Sequence, residues 1–196
     1  MSTIAAFAPV LLRGLAAALP PLCASLLALH FLLFREWKKT ARYAVFALYL
    51  AVVWIVTGPP DAYSAYYAPR VNLIPFVGMA DAPLETVLNV LLFVPIGLML
   101  PLLWRRFRDG RLAVLWGFTF SLAVEISQLF SGITDIDDLI ANTLGTFLGY
   151  LVACALLLHW PALAKTDGTL WERGILLLFV IVVMFFLAPL LRGAFI

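Results

Sequence analysis

The chain has 196 residues, of which 64% are apolar and only 12% charged, and its mean hydropathy is +1.05. A soluble globular domain is nearer 45–50% apolar and about 25% charged, so most of this surface is solvated by lipid. A soluble enzyme, a secreted disulfide scaffold and a disordered tail are excluded, and a net charge of +2 is too small to argue for nucleic acid.

A membrane span needs about 20 mostly apolar residues to cross about 30 Å of hydrocarbon. Six runs meet or nearly meet that length: 14–34, 41–58, 85–104, 112–130, 138–158 and 174–191. The sequence therefore predicts an all-α, polytopic membrane helix bundle with about six transmembrane helices. Before the first run the only charge is Arg13, which is not the basic start of a cleavable signal, so this run is expected to be a retained helix. Pro20 and Pro21 should kink it or delay its start. The second run is short and must stand nearly upright. The third contains Pro95 before Ile96 and Gly97, which predicts a bend in its middle.

Orientation follows from lysine and arginine. Arg35, Lys38, Lys39 and Arg42 follow run one, Arg105, Arg106, Arg108 and Arg111 follow run three, and Lys165 and Arg173 follow run five. These alternate segments hold ten of the thirteen basic residues and are assigned to the cytoplasm. The other side keeps Arg13, Arg70 and Arg192, so both termini are predicted outside a multi-pass cytoplasmic-membrane protein. Asp61, Asp81, Glu85, Asp135, Asp137 and Asp138 gather at the outer face. Acidic residues scarcely affect orientation, so this bias points to an outward-facing site.

Two outer connections differ in kind. Ser131 to Asp137 is expected to be a tight turn. The 26 residues GPPDAYSAYYAPRVNLIPFVGMADAP carry no clear helical period, and structureless connections beyond about 12–15 residues are usually functional or disordered. Its tyrosines suit the headgroup zone and Leu73-Ile74-Pro75-Phe76 is too apolar for water, so it is expected to be an interfacial or partly re-entrant lid.

Polar residues inside the spans are few, and each is informative. Ser121, Glu125 and Gln128 share one helix face, with Glu125 roughly 9 Å from the outer end at 1.5 Å per residue. Glu125 is either an ionisable functional group or a structural side chain bonded to a neighbouring helix. Asp138, Asn142, Gly145 and Gly149 form a second stripe. Its GxxxG favours close helix packing. Thr134 or Asp135 can cap span five, with Asp137 and Asp138 in its first turn. Glu85 and Asn89 share the outer face of span three. Cys23 and Cys154 lie in apolar runs as small hydrophobes. His30 and His159 sit at inner ends, so no Ser–His–Asp set, HExxH, P-loop or GxSxG can be assembled. No metal site and no cofactor is expected.

The segments RVNLIPF (70–76), NVLLFVPIGL (89–98), SLAVEISQLF (121–130) and DIDDLIANTLGTFLG (135–149) resemble the VanZ-like family, named for an accessory protein of glycopeptide resistance associated with teicoplanin. The resemblance implies a bacterial integral membrane protein with a core at 70–152, preceded by two helices in 1–69 and followed by 153–196. It marks Asn72, Pro75, Phe76, Asn89, Pro95, Gly97, Glu125, Gln128, Asp138, Asn142, Gly145 and Gly149. Members often carry an arginine after the glutamine-containing helix, where this chain reads Gly132-Ile133-Thr134, and Arg70 is the residue here that could replace it.

Three function classes follow. In the first, Arg70, Asn72, Asn89, Gln128, Asp138 and Asn142 bind a lipid-linked or amphiphilic envelope molecule around Glu125, with membrane lipids as the surrounding partner, and so lower glycopeptide susceptibility. In the second, Glu125 is the acid or base of an enzyme acting on a lipid-linked precursor. In the third, it serves a proton-coupled transporter, although the inner halves of the spans are almost bare of polar groups.

Overall fold

The computed structural model describes residues 3–57, 70–128, 133–165 and 168–192. The described residues are helical almost throughout, and the chain divides into two compact units: Met1–Ala62 with Thr169–Ile196, and Tyr63–Gly168.

In the terminal unit, α1 (Thr3–Leu29) continues into a wider turn of π-helix at His30–Phe34, and α2 (Trp37–Val56) follows after Arg35 and Glu36. Arg35 takes a left-handed conformation (φ 54°), which ends the first helix and allows so short a reversal. The reversal is fastened by His30, whose ring stacks on Trp37 and whose Nδ1 lies 2.8 Å from Thr40 Oγ1. Two further helices, α7 (Leu170–Val182) and α8 (Ala188–Arg192), are joined by a second π-helical turn at Val183–Leu187, and both pack on α1. Thr169 and Glu172 form a reciprocal capping box at the start of α7. Glu172 also accepts from Lys39 Nζ at 2.9 Å and Tyr43 Oη at 3.2 Å. Burial pushes its carboxyl up, but Lys39, the Thr169 amide and Tyr43 together hold it below the ordinary range.

The central unit contains β1 (Arg70–Asn72), α3 (Val77–Asp81), α4 (Pro83–Leu103), α5 (Gly110–Gln128), β2 (Ile133–Asp135) and α6 (Ile136–His159). Its core is the packing of α4 and α5 against α6. Glycines set the approach. A β-carbon at Gly145 would overlap the Val90 carbonyl, one at Gly149 the Val94 carbonyl, and one at Gly97 the Thr146 backbone. On the other flank, Gly117 of α5 leaves room for the Thr146 side chain. Phe93, Ile96, Leu100, Val124, Ala141 and Ala153 fill the remaining space and are buried.

Among the described residues four helices are long and apolar enough to cross a membrane: Leu12–Phe34, Trp37–Val56, Pro83–Leu103 and Ile136–His159. The expected runs 112–130 and 174–191 coincide with α5, which carries Arg111 and Glu125, and with the segmented α7–α8. Pro20-Pro21 does not delay α1, which is helical from Thr3. Nor do Pro95 and Pro101 interrupt α4. A proline removes one helical hydrogen bond, and neighbouring helices make this tolerable in an apolar setting. The expected tight turn at 131–137 instead contains β2, whose residues Ile133, Thr134 and Asp135 pair in parallel with Arg70, Val71 and Asn72.

Candidate functional site

The N-terminal ends of α4 and α6 and the C-terminal end of α5, the ends expected from the sequence to face outward, converge on the β1–β2 ladder, and side chains tie them together in a chain of neutral donors and acidic acceptors. Asp135 opens it. Its carboxylate accepts the Asp137 amide at 2.9 Å and so caps α6, where the orphan amides and the dipole both favour an anion. The same carboxylate accepts Asn72 Nδ2 at 3.1 and 3.2 Å, while Asn72 Oδ1 accepts the Ile74 amide at 3.1 Å.

Asp137 is buried and reaches the chain more than fifty residues earlier. Its Oδ1 accepts the Phe76 amide at 2.6 Å and its Oδ2 the Met79 amide at 3.0 Å. Phe76 has φ 70°, a left-handed conformation unfavourable for a non-glycine residue. The short charge-assisted bond offsets that cost and locks the turn into α3. A side chain at Gly78 would collide with the Asp135 carboxylate, so the segment lies directly over the start of α6.

One turn deeper are the helix-borne groups. Asp138 Oδ1 accepts Asn89 Nδ2 at 2.5 Å, joining α6 to α4. Glu125 of α5 is only 4% exposed, and its Oε2 accepts the Asp135 amide at 3.1 Å. Thr134 Oγ1 donates to the Glu125 carbonyl at 3.1 Å, which fastens β2 to the end of α5. Asn142, 2% exposed, donates from Nδ2 to Ser121 Oγ at 3.0 Å, and its Oδ1 has no hydrogen-bond partner among the described residues. A buried unpaired amide oxygen is costly. It lies on α6 beside Ser121, one turn along α5 from Glu125. Gln128 is half-buried at the last residue of α5.

Among the described residues these four carboxyls make no ion pair, and the donors they accept from are amides. No group of three or more metal-ligating side chains is found among the described residues. The arrangement can accept hydrogen bonds from hydroxyl, amine or ammonium groups, and Glu125 can exchange a proton.

The structure thus ties Asn89 to Asp138, Asn142 to Ser121 and Glu125 to β2, with Asn72 one strand away. Pairing of Arg70 with Glu125 concerns a side chain outside the described residues, as do the lid residues 58–69 and the turn at 129–132 that would border an outward pocket. Two contributors had no sequence signal of their own. Ser121 was notable only for sharing the Glu125 face. Asp137 looked like a residue of the first helical turn, with nothing to announce its bonds to Phe76 and Met79.

A family model described as VanZ/LLP1 matches residues 43–159. Among curated proteins the chain is similar to Protein VanZ of Enterococcus faecium, 34% identical over 122 residues that cover 60% of this chain and 73% of that protein. No solved structure matches the chain.

Proposed function

This chain belongs to the VanZ/LLP1 family, and we propose that it is a bacterial cell-envelope factor whose outer-end cluster binds the polar head of a lipid-linked or amphiphilic molecule. The observation that carries this reading is Glu125, a carboxyl 4% exposed inside an apolar helix, beside an amide oxygen of Asn142 without a described partner. An acidic group at that depth costs a few kcal/mol unless partnered, and such groups mark functional sites by default. The acyl part of the ligand stays in the outer leaflet while its hydroxyl or amine donors meet Glu125, Asp138 and Asn142. Arg70 is the cation of the long outer loop and is suited to a ligand anion or to Glu125 itself.

In this reading the protein is a multi-pass component of the cytoplasmic membrane with both termini outside, and binding lowers glycopeptide susceptibility, as the resemblance to the teicoplanin-associated family suggests. A second reading, in which Glu125 is the acid or base of an enzyme on a lipid-linked precursor, is favoured by the burial of its carboxyl. The test is complementation of a deletion strain by Glu125→Gln, reading teicoplanin susceptibility with abundance checked by blot. Glutamine keeps the size and most hydrogen bonding but loses the charge and the proton. Function should disappear at normal abundance; full complementation would refute the ionising role. Envelope-lipid mass spectrometry separates the two readings, since only the enzyme changes a precursor's covalent structure.

A further inference from the structure

At the opposite end of α5 lies a groove of about 770 Å³, lined by Arg111, Val114, Leu115, Phe118, Thr143 and Phe147, with Asp109 and Gly110 at its mouth. It runs between α5 and α6 and opens sideways: Leu115 is 59% exposed, Phe147 43% and Phe118 38%. From Gly110 to Phe118 is eight residues, about 12 Å of helix. One leaflet of hydrocarbon is about 15 Å deep, half of the roughly 30 Å core. The groove therefore has the depth of a single leaflet and an apolar wall along its length.

Its mouth is basic. Arg111 is exposed at the start of α5, and Arg105 and Arg106 are exposed on the short turn before it. Among the described residues none of the three makes an ion pair. The one acid at the mouth, Asp109, is engaged with backbone, its Oδ1 accepting the Arg111 amide at 3.0 Å. A half-leaflet apolar groove with the Arg111 guanidinium in its lining, and two further exposed arginines on the turn before α5, matches one kind of molecule. We infer that it is a binding site for an anionic phospholipid of the leaflet on which Arg105–Arg111 lies, with the phosphate at Arg111 and one acyl chain along Leu115, Phe118 and Phe147. Charge complementarity selects the headgroup, because a juxtamembrane arginine attracts anionic lipid and is indifferent to a zwitterionic one. Thr143 does not select it, since its hydroxyl already donates to the Leu139 carbonyl at 2.7 Å. On α5 this site occupies the Gly110–Phe118 half, away from Glu125, while on α6 its residue Thr143 directly follows Asn142 of the outer cluster.

The experiment is native mass spectrometry of the purified full chain in detergent, titrated with phosphatidylglycerol or phosphatidylcholine of matched acyl chains. The wild-type should retain phosphatidylglycerol over phosphatidylcholine by about fivefold or more, the ratio expected for one arginine near the surface. Arg111→Gln should cut phosphatidylglycerol retention by a similar factor and leave phosphatidylcholine unchanged. Leu115→Trp, which fills the groove, should weaken both. Arg111 and Leu115 are exposed, so neither substitution disturbs the core. Equal retention of the two lipids by the wild-type, an undiminished preference in Arg111→Gln, or normal retention by Leu115→Trp would each overturn the proposal. So would displacement of the lipid by millimolar inorganic phosphate, which would mark a site for the free anion.

Discussion

Asp137 holds the approach to α4, because two backbone amides of that segment end on its carboxylate. Hydrogen bonds to a charged group are worth roughly 1.5–3 kcal/mol each, less where water can replace them. Asp137→Ala should therefore lower stability by about 2 kcal/mol, and limited proteolysis should cut between residues 70 and 82 faster than in the wild-type. Unchanged cleavage would show that the β1–β2 ladder alone holds the segment. The neighbouring aspartates show what a sequence reveals at this scale. Capping of α6 by Asp135 is a local matter, decided within two residues, and is legible from residue type and position. The reach of Asp137 to Phe76 and Met79 is not legible, because a contact sixty residues away leaves no period or spacing behind. The same holds for Asn142, whose helical face can be counted but whose partner Ser121 lies on another helix.

At the scale of elements, α4 and α6 touch through three glycines, two of which stand four apart on α6. A side chain at Gly149 would meet the Val94 carbonyl and the Leu98 amide, both backbone atoms that cannot rotate aside. Overpacking of this kind costs about 1–3 kcal/mol or more. Gly149→Leu should sharply lower the amount of folded protein and its thermal stability in detergent. Normal expression and stability would mean that this face does not carry the packing. The GxxxG spacing makes a close approach foreseeable, yet it does not say which helix approaches. In the sequence Gly97 stands out as the residue after Pro95-Ile96 and as a position marked by the family resemblance, and its role against Thr146 emerges once α4 and α6 are side by side. The π-helical turns at His30–Phe34 and Val183–Leu187 had no sequence signal either, since one wide turn does not alter an apolar run.

For the whole molecule, composition made a membrane protein legible and the apolar runs of about 20 residues made an all-α bundle legible, because that length suits a helix crossing the hydrocarbon core. The number of crossings is harder to read. Run 112–130 contains a carboxyl and run 174–191 a π-helical turn, and hydropathy weighs such residues without knowing their partners. The basic residues make a topology prediction that can be measured. Single cysteines at 35–42 and 105–111, with Cys23 and Cys154 removed, should be protected from an impermeant thiol reagent in intact cells, and those at 60–70 should react. Labelling of 105–111 from outside would end the six-span arrangement. The central claim, that the outer cluster is a binding site for an envelope amphiphile, has a more direct test. The wild-type chain and Glu125→Gln are purified from the same bacterial membrane, and the amphiphiles that leave with each are identified by mass spectrometry. The account predicts a species enriched with the wild-type and lost with Glu125→Gln, while ordinary phospholipids are retained equally by both. Identical sets of co-purifying molecules from the two proteins would contradict it.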